Sequence, residues 1–300
     1  MEKASKVFIL ITGASRGYGT ALARAAAKSF DCPVDFLLLA RNIDGLQQCK
    51  TLIEETRHEN FPEKDFSVKT EQVDLRDLNA SELLLTSIFD EVKAGDYARG
   101  MCFLNAGTVG YVGNFQDIPD IGSMKGEVDL NVTSPLWLAS KFVSIFGATR
   151  SDEEEENATK KAKVDEANTE TKQDVPVEQV EPPSFLVNIS SLCAIEPFAT
   201  MATYCFTRAA KEMAMRVISK EQEHSNKLKV LNWAPGPMAT DMIDEIVASK
   251  ALDPDIRAYY EKLLQENSCV PQDASAEKCM RILITNSFYS GAHIDYFDEV

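Results

Sequence analysis

Short apolar runs alternate along the chain with longer segments in which apolar residues recur at helical spacing. The apolar runs predict six strands, in "KVFILITG", "VDFLLLARN", "SVKTEQVDL", "GMCFLNAG", "SFLVNISS" and "KLKVLNWAPGP". Segments between them predict helices, among them "TALARAAAKSF", one long helix in "DLNVTSPLWLASKFVSIFG", and "TYCFTRAAKEMAMRVISKEQEH". Strands that alternate with helices form parallel sheets with right-handed crossovers. The pattern therefore predicts an α/β fold with a doubly wound parallel sheet.

Residues 151–183 interrupt this alternation. They include eleven acidic and four basic residues and no aromatic residue. A segment of that composition buries too little apolar surface to offset the entropy that it loses on ordering. We therefore predict a single domain over residues 1–300, interrupted by a disordered acidic insertion at about 151–183. The insertion is either a solvated loop without a function or a docking or regulatory segment.

Charge and cysteine usage narrow the class of partner. The net charge of −16 argues against nucleic acid and anionic membranes, which both need a basic surface. The first apolar run, Val7 to Ile11, is too short for a signal peptide or a membrane span. The seven cysteines show no C-x-x-C spacing, which is typical of reduced thiols in a cytoplasmic protein. No metal site is predicted.

A glycine-rich loop follows the first predicted strand. "TGASRGYG" carries Gly13, Gly17 and Gly19 between a buried strand and an alanine-rich helix. Glycine permits a tight turn and a close approach of the backbone to phosphate. The N-terminus of the following helix offers free N–H groups and a positive dipole end. The loop therefore predicts a pyrophosphate site, with G-x3-G-x-G spacing rather than the common dinucleotide fingerprint.

Six landmarks in order make the chain resemble the short-chain dehydrogenases/reductases. They are "TGASRGYG", "VDL", "NAG", "LNVTS", "NISS" with Tyr204, and "APGPMATDM". The resemblance implies a Rossmann-like fold and a nicotinamide cofactor. It implies that the cofactor is bound by Gly13, Ser15, Arg16, Gly17, Tyr18, Gly19, Arg41, Asn42, Asp74, Leu75, Asn105, Ala106, Gly107, Arg208, Met238 and Thr240.

Two arginines favour NADP(H) over NAD(H). An NAD site usually ends its second strand with a carboxylate that binds the ribose hydroxyls. Here the second strand ends in "LLLARN", with Arg41 at that place, and Arg16 lies in the glycine loop. Guanidinium groups bind a phosphate with paired hydrogen bonds. We therefore predict that Arg41 and Arg16 bind the 2′-phosphate of NADP(H).

The resemblance also implies a catalytic group. Ser191 and Tyr204 would polarise a carbonyl, with Tyr204 as the proton donor, and Asn131 would hold a water of the proton relay. A phenol releases its proton near neutral pH only where a nearby cation favours the phenolate. The family places a lysine four residues after the tyrosine, and this chain has Arg208 there.

Arginine keeps the charge of that lysine, but it is larger and does not release its proton under working conditions. A relay through this position would be interrupted. Two alternatives follow: a working reductase, or a cofactor-binding relative with little turnover. Because the other residues of the group are present, we favour the working reductase.

Longer stretches resemble one group of the family, the sepiapterin reductases. They include "VNISSLCAIEPFATMATYC", "VLNWAPGPMATDM", "LDPDIRAYYEKL" and "SGAHIDYFD". The resemblance implies that Asp295 binds a pterin ring, since one carboxylate accepts two adjacent N–H groups. It places Gly236 under the substrate, the 238–243 segment over the nicotinamide and Thr240 at its carboxamide.

The resemblance further implies a homodimer, in which helices near 129–147 and 203–224 pack across a two-fold axis. The predicted activity is NADPH-dependent reduction of pterin side-chain ketones, on the route to tetrahydrobiopterin. The alternatives are a carbonyl reductase of other small ketones or diketones, and a regulatory NADP-binding protein that Arg208 has disabled.

Overall fold

Seven parallel strands form one sheet in residues 6–149 and 182–300, the parts of the chain that the computed structural model describes. Along the sheet their order is β3-β2-β1-β4-β5-β6-β7. This confirms the predicted doubly wound parallel sheet and adds a seventh strand. The strands are β1 Val7–Thr12, β2 Val34–Ala40, β3 Phe66–Gln72, β4 Arg99–Leu104, β5 Ser184–Ile189, β6 Leu228–Ala234 and β7 Ala292–Asp295.

Helices cover both faces of the sheet. They are α1 Gly17–Ala27, α2 Ile43–Asn60, α3 Leu78–Ala94, α4 Ile121–Val128, α5 Ser134–Phe146, α6 Ala202–Glu221, α7 Asp241–Ala248, α8 Pro254–Gln265 and α9 Gln272–Thr285. A π-helical turn, Asp129–Thr133, joins α4 to α5, and short 3-10 turns lie at Phe115–Asp117 and Leu192–Ala194.

Alternate residues of the central strand β1 enter two separate cores. Ile9 and Ile11 pack with residues of α1, α2 and α9 on one face of the sheet. Phe8 and Leu10 pack with residues of α3, α5 and α6 on the other face. Successive side chains of a strand point to opposite faces, so a strand that is buried on both sides is an unbroken apolar run. This explains why the sequence pattern located the strands well.

The long helix predicted from "DLNVTSPLWLASKFVSIFG" is wrong in one respect. Helical structure begins at Ile121, where Asp120 Oδ1 accepts a hydrogen bond of 2.8 Å from the Ser123 N–H. It then passes through the π-helical turn before α5. Pro135 has no N–H and cannot donate an α-helical bond to the carbonyl of Asn131. Because the 121–128 segment has two glycines and little apolar periodicity, the pattern did not reveal it.

The predicted acidic insertion lies almost wholly outside the described residues, which resume at residue 182. Pro183, which the prediction included, is buried directly before β5. The prediction of one domain with a disordered insertion therefore stays a prediction. In the described parts, no helix is both long enough and apolar enough to cross a membrane.

The chain changes direction across the sheet at β1. Strands β2 and β3 lie to one side of it, and β4 to β7 lie to the other. In open parallel sheets, ligands bind outside the carboxyl ends of the strands at this switch point. The glycine loop follows β1, and the "NAG" residues follow β4, so both lie at that edge.

Candidate active site

The glycine loop has the backbone geometry of a phosphate cradle. Gly13 and Gly17 have φ values of +69° and +58°, which glycine adopts without strain. A Cβ at Gly19 would collide with the Gly13 carbonyl and lie 2.8 Å from Asn105 Nδ2. A Cβ at Gly17 would meet no atom within 4 Å, so space is open at the start of α1. The predicted glycines therefore match a close backbone approach to a ligand.

Hydrogen bonds of Asn105 connect the end of β4 to this loop. Its Nδ2 donates to the carbonyl oxygens of Thr12 and Gly13, at 3.0 and 3.2 Å. The backbone N–H groups of Asn105 and Ala106 donate to Thr12 Oγ1 at 3.0 and 2.9 Å. Asn105 and Ala106 thus lie directly beside the glycine loop, and their contact with a cofactor stays a prediction.

Arg41 and Asn42 directly precede α2, next to the glycine loop. The N–H groups of Gly13 and Ala14 donate to the Leu39 carbonyl, which brings the end of β2 to the loop. Asn42 Oδ1 accepts from the Gly45 N–H at 3.0 Å and caps α2. Arg41 is exposed and forms no ion pair with any described residue. Its guanidinium is thus available to a ligand phosphate.

Arg16, by contrast, already has a partner. Its guanidinium forms an ion pair with Asp241, the first residue of α7, and both side chains are mostly exposed. A 2′-phosphate at Arg16 would compete with this carboxylate. The sequence pattern showed the arginine but not its partner, because Asp241 lies 225 residues further along the chain.

Tyr18 is placed differently from the prediction that it binds the cofactor. Its hydroxyl accepts a hydrogen bond of 2.7 Å from Trp233 Nε1 and one of 3.2 Å from Ser275 Oγ. The side chain is 6% exposed, and burial raises the pKa of its phenol well above the usual value. The aromatic side chain therefore belongs to the core between α1, α9 and β6.

Asp74 and Leu75 follow β3 at the same edge. Asp74 is exposed, and its Oδ1 accepts from the Arg76 N–H at 3.0 Å. Leu75 is buried, and its carbonyl accepts a hydrogen bond from Ser134 Oγ in α5. Asp74 therefore faces solvent at this edge, and the prediction that the pair flanks an adenine stays a prediction.

Asn131 lies in the π-helical turn and is 1% exposed. Its side chain forms a pair of 2.9 Å hydrogen bonds with the backbone of Thr108: Oδ1 accepts from the N–H, and Nδ2 donates to the carbonyl. A 3.3 Å bond from Nδ2 to Thr207 Oγ1 reaches α6. These contacts fix Asn131 beside Gly107, where a Cβ would lie 3.0 Å from Asn131 Oδ1.

Arg208 lies over the ring of Tyr204. Its Cζ is 4.7 Å from the ring centroid, and the two side chains are 4% and 7% exposed. Arg208 Nη1 donates to the Ile189 carbonyl at the end of β5, at 3.0 Å, and Nη2 lies beside Gly107. Arg208 Nε is buried and has no hydrogen-bond partner among the described residues. The guanidinium thus connects the tyrosine to the ends of two strands and retains an unused donor.

Ser191 caps the 3-10 turn Leu192–Ala194, which lies next to α6. Its Oγ accepts from the Cys193 N–H at 3.2 Å, which leaves its O–H free to donate. The turn that follows Ser191 packs against α6, and Cys193 in that turn lies near Cys205, the residue after Tyr204. The Ser191 turn and the first turn of α6 are therefore in contact.

Met242 was not singled out by the sequence analysis. The Tyr204 hydroxyl donates to its sulfur at 3.8 Å. A methionine one residue into a short helix gives no signal of such a contact in the sequence. Of the predicted residues in this segment, Met238 packs against the core, and the Thr240 hydroxyl makes no hydrogen bond with described residues.

Lys211 lies one turn beyond Arg208 and has no exposed surface. Its Nζ makes a single long hydrogen bond of 3.4 Å to the Leu104 carbonyl. Burial, and secondly the Arg208 charge, hold the pKa of Lys211 well below its usual value. The site therefore contains a permanent cation, Arg208, and beside it a buried lysine whose pKa is lowered.

Gly236 and Asp295 lie at the carboxyl ends of the neighbouring strands β6 and β7. Ala234 of β6 pairs with Asp295, the last residue of β7. Gly236 has a φ of +80°, and a Cβ there would lie 2.7 Å from Val270 Cγ2. Asp295 is half-buried, and its Oδ1 accepts from the Phe297 N–H at 3.0 Å. Lone pairs remain on both carboxylate oxygens for a ligand.

These residues fit a nicotinamide dinucleotide along the edge of the sheet. The glycine cradle and the start of α1 suit the pyrophosphate, and exposed Arg41 suits a 2′-phosphate. The unpartnered Nε of Arg208 suits a ribose hydroxyl. No group of histidine, cysteine and carboxylate side chains in the described residues has the arrangement of a metal site.

Curated relatives match the chain along most of their length. The chain is 30% identical to sepiapterin reductase of Rattus norvegicus over 290 residues, which covers 96% of this chain and 95% of the relative. It is 22% identical to the benzil reductase ((S)-benzoin forming) of Bacillus subtilis (strain 168), which covers 81% of this chain and 79% of the relative. No family model matches the chain.

Solved structures agree on the fold. The crystal structure of the KRED1-Pglu enzyme superposes with a TM-score of 0.68, at 17% identity, over 97% of this chain and all of the other. That of NAD+-bound xylitol dehydrogenase does so with a TM-score of 0.66, at 16% identity, over 99% of both chains.

The chain therefore belongs to the short-chain dehydrogenases/reductases, a family of oxidoreductases that use nicotinamide cofactors. Within that family, its sequence is similar to those of the sepiapterin reductases.

Proposed function

We propose that this protein is an NADPH-dependent reductase of pterin side-chain ketones. One observation carries the proposal: Arg208 lies over the Tyr204 ring and, with Asn131, beside Gly107, on the helix that contacts the turn after Ser191. Exposed Arg41 supports the choice of NADPH over NADH, and Asp295 at the end of β7 supports a pterin.

The chain's own residues have distinct tasks in this reaction. The bound cofactor supplies a hydride to the carbonyl carbon. The Ser191 hydroxyl donates a hydrogen bond to the carbonyl oxygen, because its acceptor side is occupied by the Cys193 N–H. The Tyr204 hydroxyl leaves the Met242 sulfur and donates its proton to the same oxygen. Arg208 stabilises the resulting phenolate through its charge.

A second candidate is a carbonyl reductase of simpler diketones. The likeness to benzil reductase of Bacillus subtilis favours it. The third, a cofactor-binding protein with little turnover, follows from Arg208, since a guanidinium does not pass on a proton. The three differ in which ketone, if any, is reduced.

The test compares sepiapterin with benzil as substrates, with NADPH, in the parent and in Asp295→Asn. The amide opposes a pterin N–H with its own N–H, so we expect the KM for sepiapterin to rise about tenfold or more. The KM for benzil, which lacks such N–H groups, stays unchanged. Asp90→Asn, an exposed aspartate on α3, is the matched control.

Each alternative has its own result in this assay. Equal losses on both ketones in Asp295→Asn would make Asp295 structural. A parent that reduces benzil but no pterin ketone is a carbonyl reductase of the second kind. A parent that binds NADPH and reduces neither ketone is the cofactor-binding protein.

We propose a cytosolic homodimer as the form that acts. All seven cysteines are free thiols, as a reducing compartment requires. On α6, Phe206, Met213 and Val217 are 40%, 57% and 49% exposed. Their spacing of seven and four residues puts them on one side of the helix. Contact between two copies through α6 would remove this apolar side from water.

A further inference from the structure

A buried chain of hydrogen bonds runs under the candidate site, through β5, α6 and β7. Ser190 Oγ donates to Glu212 Oε2 at 2.5 Å, and His293 Nδ1 lies 2.9 Å from both oxygens of the same carboxylate. Ser190 and Glu212 are each 4% exposed. A buried carboxylate is costly unless it is paired and hydrogen-bonded. Glu212 meets both conditions through these two partners.

Each member of this chain adjoins a residue of the site. Ser190 directly precedes Ser191. Glu212 lies one helical turn after Arg208 and on the same helix as Tyr204. His293 comes two residues before Asp295 on β7, so both side chains leave the strand on the same face. The reaction proposed above uses none of the three residues.

We infer that Ser190, Glu212 and His293 form a positioning network, which holds the Ser191 turn and the Asp295 strand against the helix of Tyr204. The inference rests on the proposed function, because it assigns these residues to a carbonyl-reducing site. They do not touch the reacting atoms; they fix the elements that do. A displacement of about 1 Å at a reacting group can reduce a rate about a hundredfold.

Charge explains why the network is sensitive to pH. The charged groups that face His293 are Glu212 from α6, and Asp295 and Asp298 from the end of β7 and the turn after it. The hydrogen bond to Glu212 raises the pKa of His293, and burial opposes that rise only in part. The ion pair is therefore complete below the ordinary histidine pKa and is lost as pH rises through the raised value.

The experiment compares Glu212→Gln with Glu221→Gln, an exposed glutamate on the same helix. The amide keeps the shape and removes the charge. We expect kcat to fall about 10- to 100-fold with an unchanged Kd for NADPH. The alkaline fall of kcat should move to lower pH, because His293 loses its counter-charge. Glu212→Asp, which restores the carboxylate, should recover part of the rate.

An NMR titration gives a readout that does not depend on turnover. The chain has only three histidines, so the His293 signal is assigned by its loss in His293→Gln. Its pKa should lie above the ordinary value in the parent and fall in Glu212→Gln. Ser190→Ala, which removes one hydroxyl, is the second variant if Glu212→Gln does not fold; it should lower kcat with less effect on the His293 pKa.

Three results would overturn the inference. An unchanged His293 pKa in Glu212→Gln means that the ion pair does not form. A lowered His293 pKa with kcat and its pH profile unchanged, on sepiapterin and on benzil, means that the network is structural only. A parent that reduces neither ketone refutes the proposed function and the catalytic role together, while a raised His293 pKa in that parent would still identify the ion pair.

Discussion

Charged side chains are exposed on one side of the active-site edge and buried on the other. Beside β1 and β2, two charged groups near the glycine loop, Arg16 and Arg41, lie on the surface. Beside β4 to β7, Arg208, Lys211 and Glu212 are at most 4% exposed. A charge on the surface loses little hydration free energy, but solvent and salt screen its interactions. Buried charges depend on each neighbour, so a small change there has a large effect.

This contrast assigns different tasks to the two sides. Exposed arginines can adjust to an incoming phosphate, and they are expected to set cofactor preference. The buried groups are fixed by specific partners: Arg208 by Ile189, Glu212 by Ser190 and His293. We therefore expect substitutions on the β4 to β7 side to change turnover and those on the β1–β2 side to change cofactor affinity.

The largest effect is expected from Tyr204→Phe. Because it removes only the donated proton, kcat should fall about 10²- to 10⁴-fold. The Kd for NADPH should not change, which fluorescence titration of the bound cofactor measures. Tyr289→Phe, at a tyrosine that is 75% exposed, is the control. If turnover is undiminished in Tyr204→Phe, another residue donates the proton.

The second largest effect is expected from substitutions of Arg208. Arg208→Ala removes the cation over the Tyr204 ring and the bond to the Ile189 carbonyl, so kcat should fall about 10- to 100-fold. Arg208→Lys keeps a charge that can also relay protons, and should hold or increase kcat. Arg216→Ala, on the exposed side of α6, is the matched control.

Two other outcomes in this series are informative. If both Arg208 variants match the parent, Arg208 is a bystander and another cation supports Tyr204. If lysine impairs an active parent, the pocket has adapted to arginine and the relay argument is wrong for this protein.

On the β1–β2 side, Arg41→Ala should raise the Kd for NADPH about tenfold, the value of one charge-assisted contact with phosphate. The Kd for NADH should stay the same, because NADH lacks the 2′-phosphate. Arg281→Ala, at an exposed arginine on α9, controls for the loss of one surface charge. An equal loss of affinity for NADPH and NADH would show that Arg41 does not bind the 2′-phosphate.

The smallest effect concerns Lys211, whose pKa is depressed by burial. The unfolded chain binds this proton more readily, so the lysine lowers stability at neutral pH, and the loss shrinks as pH rises toward the unfolded pKa of about 10.4. Lys211→Met should thus raise Tm at pH 7 by about 2–4 °C per kcal/mol recovered. Lys220→Met, exposed on the same helix, is the control. A Tm difference that is the same at pH 7 and pH 10 would contradict the assignment.

Local pattern predicted most of the sheet and the order of the site motifs. Five of the six predicted strands were visible because each is buried on both faces and is an apolar run. The sixth, β3, lies at the edge of the sheet and has no fully buried residue. The seventh strand, Ala292–Asp295, is short and alternates buried with half-buried residues, which leaves no such run. Helix α4 contains two glycines, so apolar periodicity did not reveal it. Pro135, just after the π-helical turn, lacks the N–H that a regular helix would use there, and the apolar pattern gave no sign of this turn.

Side-chain direction was harder to predict than position. Tyr18 lies in the loop, yet its phenol enters the core, because Trp233 and Ser275 supply partners from distant parts of the chain. The pairing of Arg16 with Asp241, and of Tyr204 with Met242, depends in the same way on where α7 folds back. The Ser190–Glu212–His293 network needs three elements at once, and no single stretch of sequence contains it.

The π-helical turn at Asp129–Thr133 has a consequence for how this site could arise or be lost. A π turn contains one residue more than the α-helical turn that it replaces. Deleting one residue there would leave a continuous helix, in which each residue advances by 1.5 Å and about a 100° rotation. Asn131 would then turn away from Thr108 and Gly107, while the apolar side of α5 kept its place on the sheet. A single codon loss could thus remove the asparagine from the site and spare the fold.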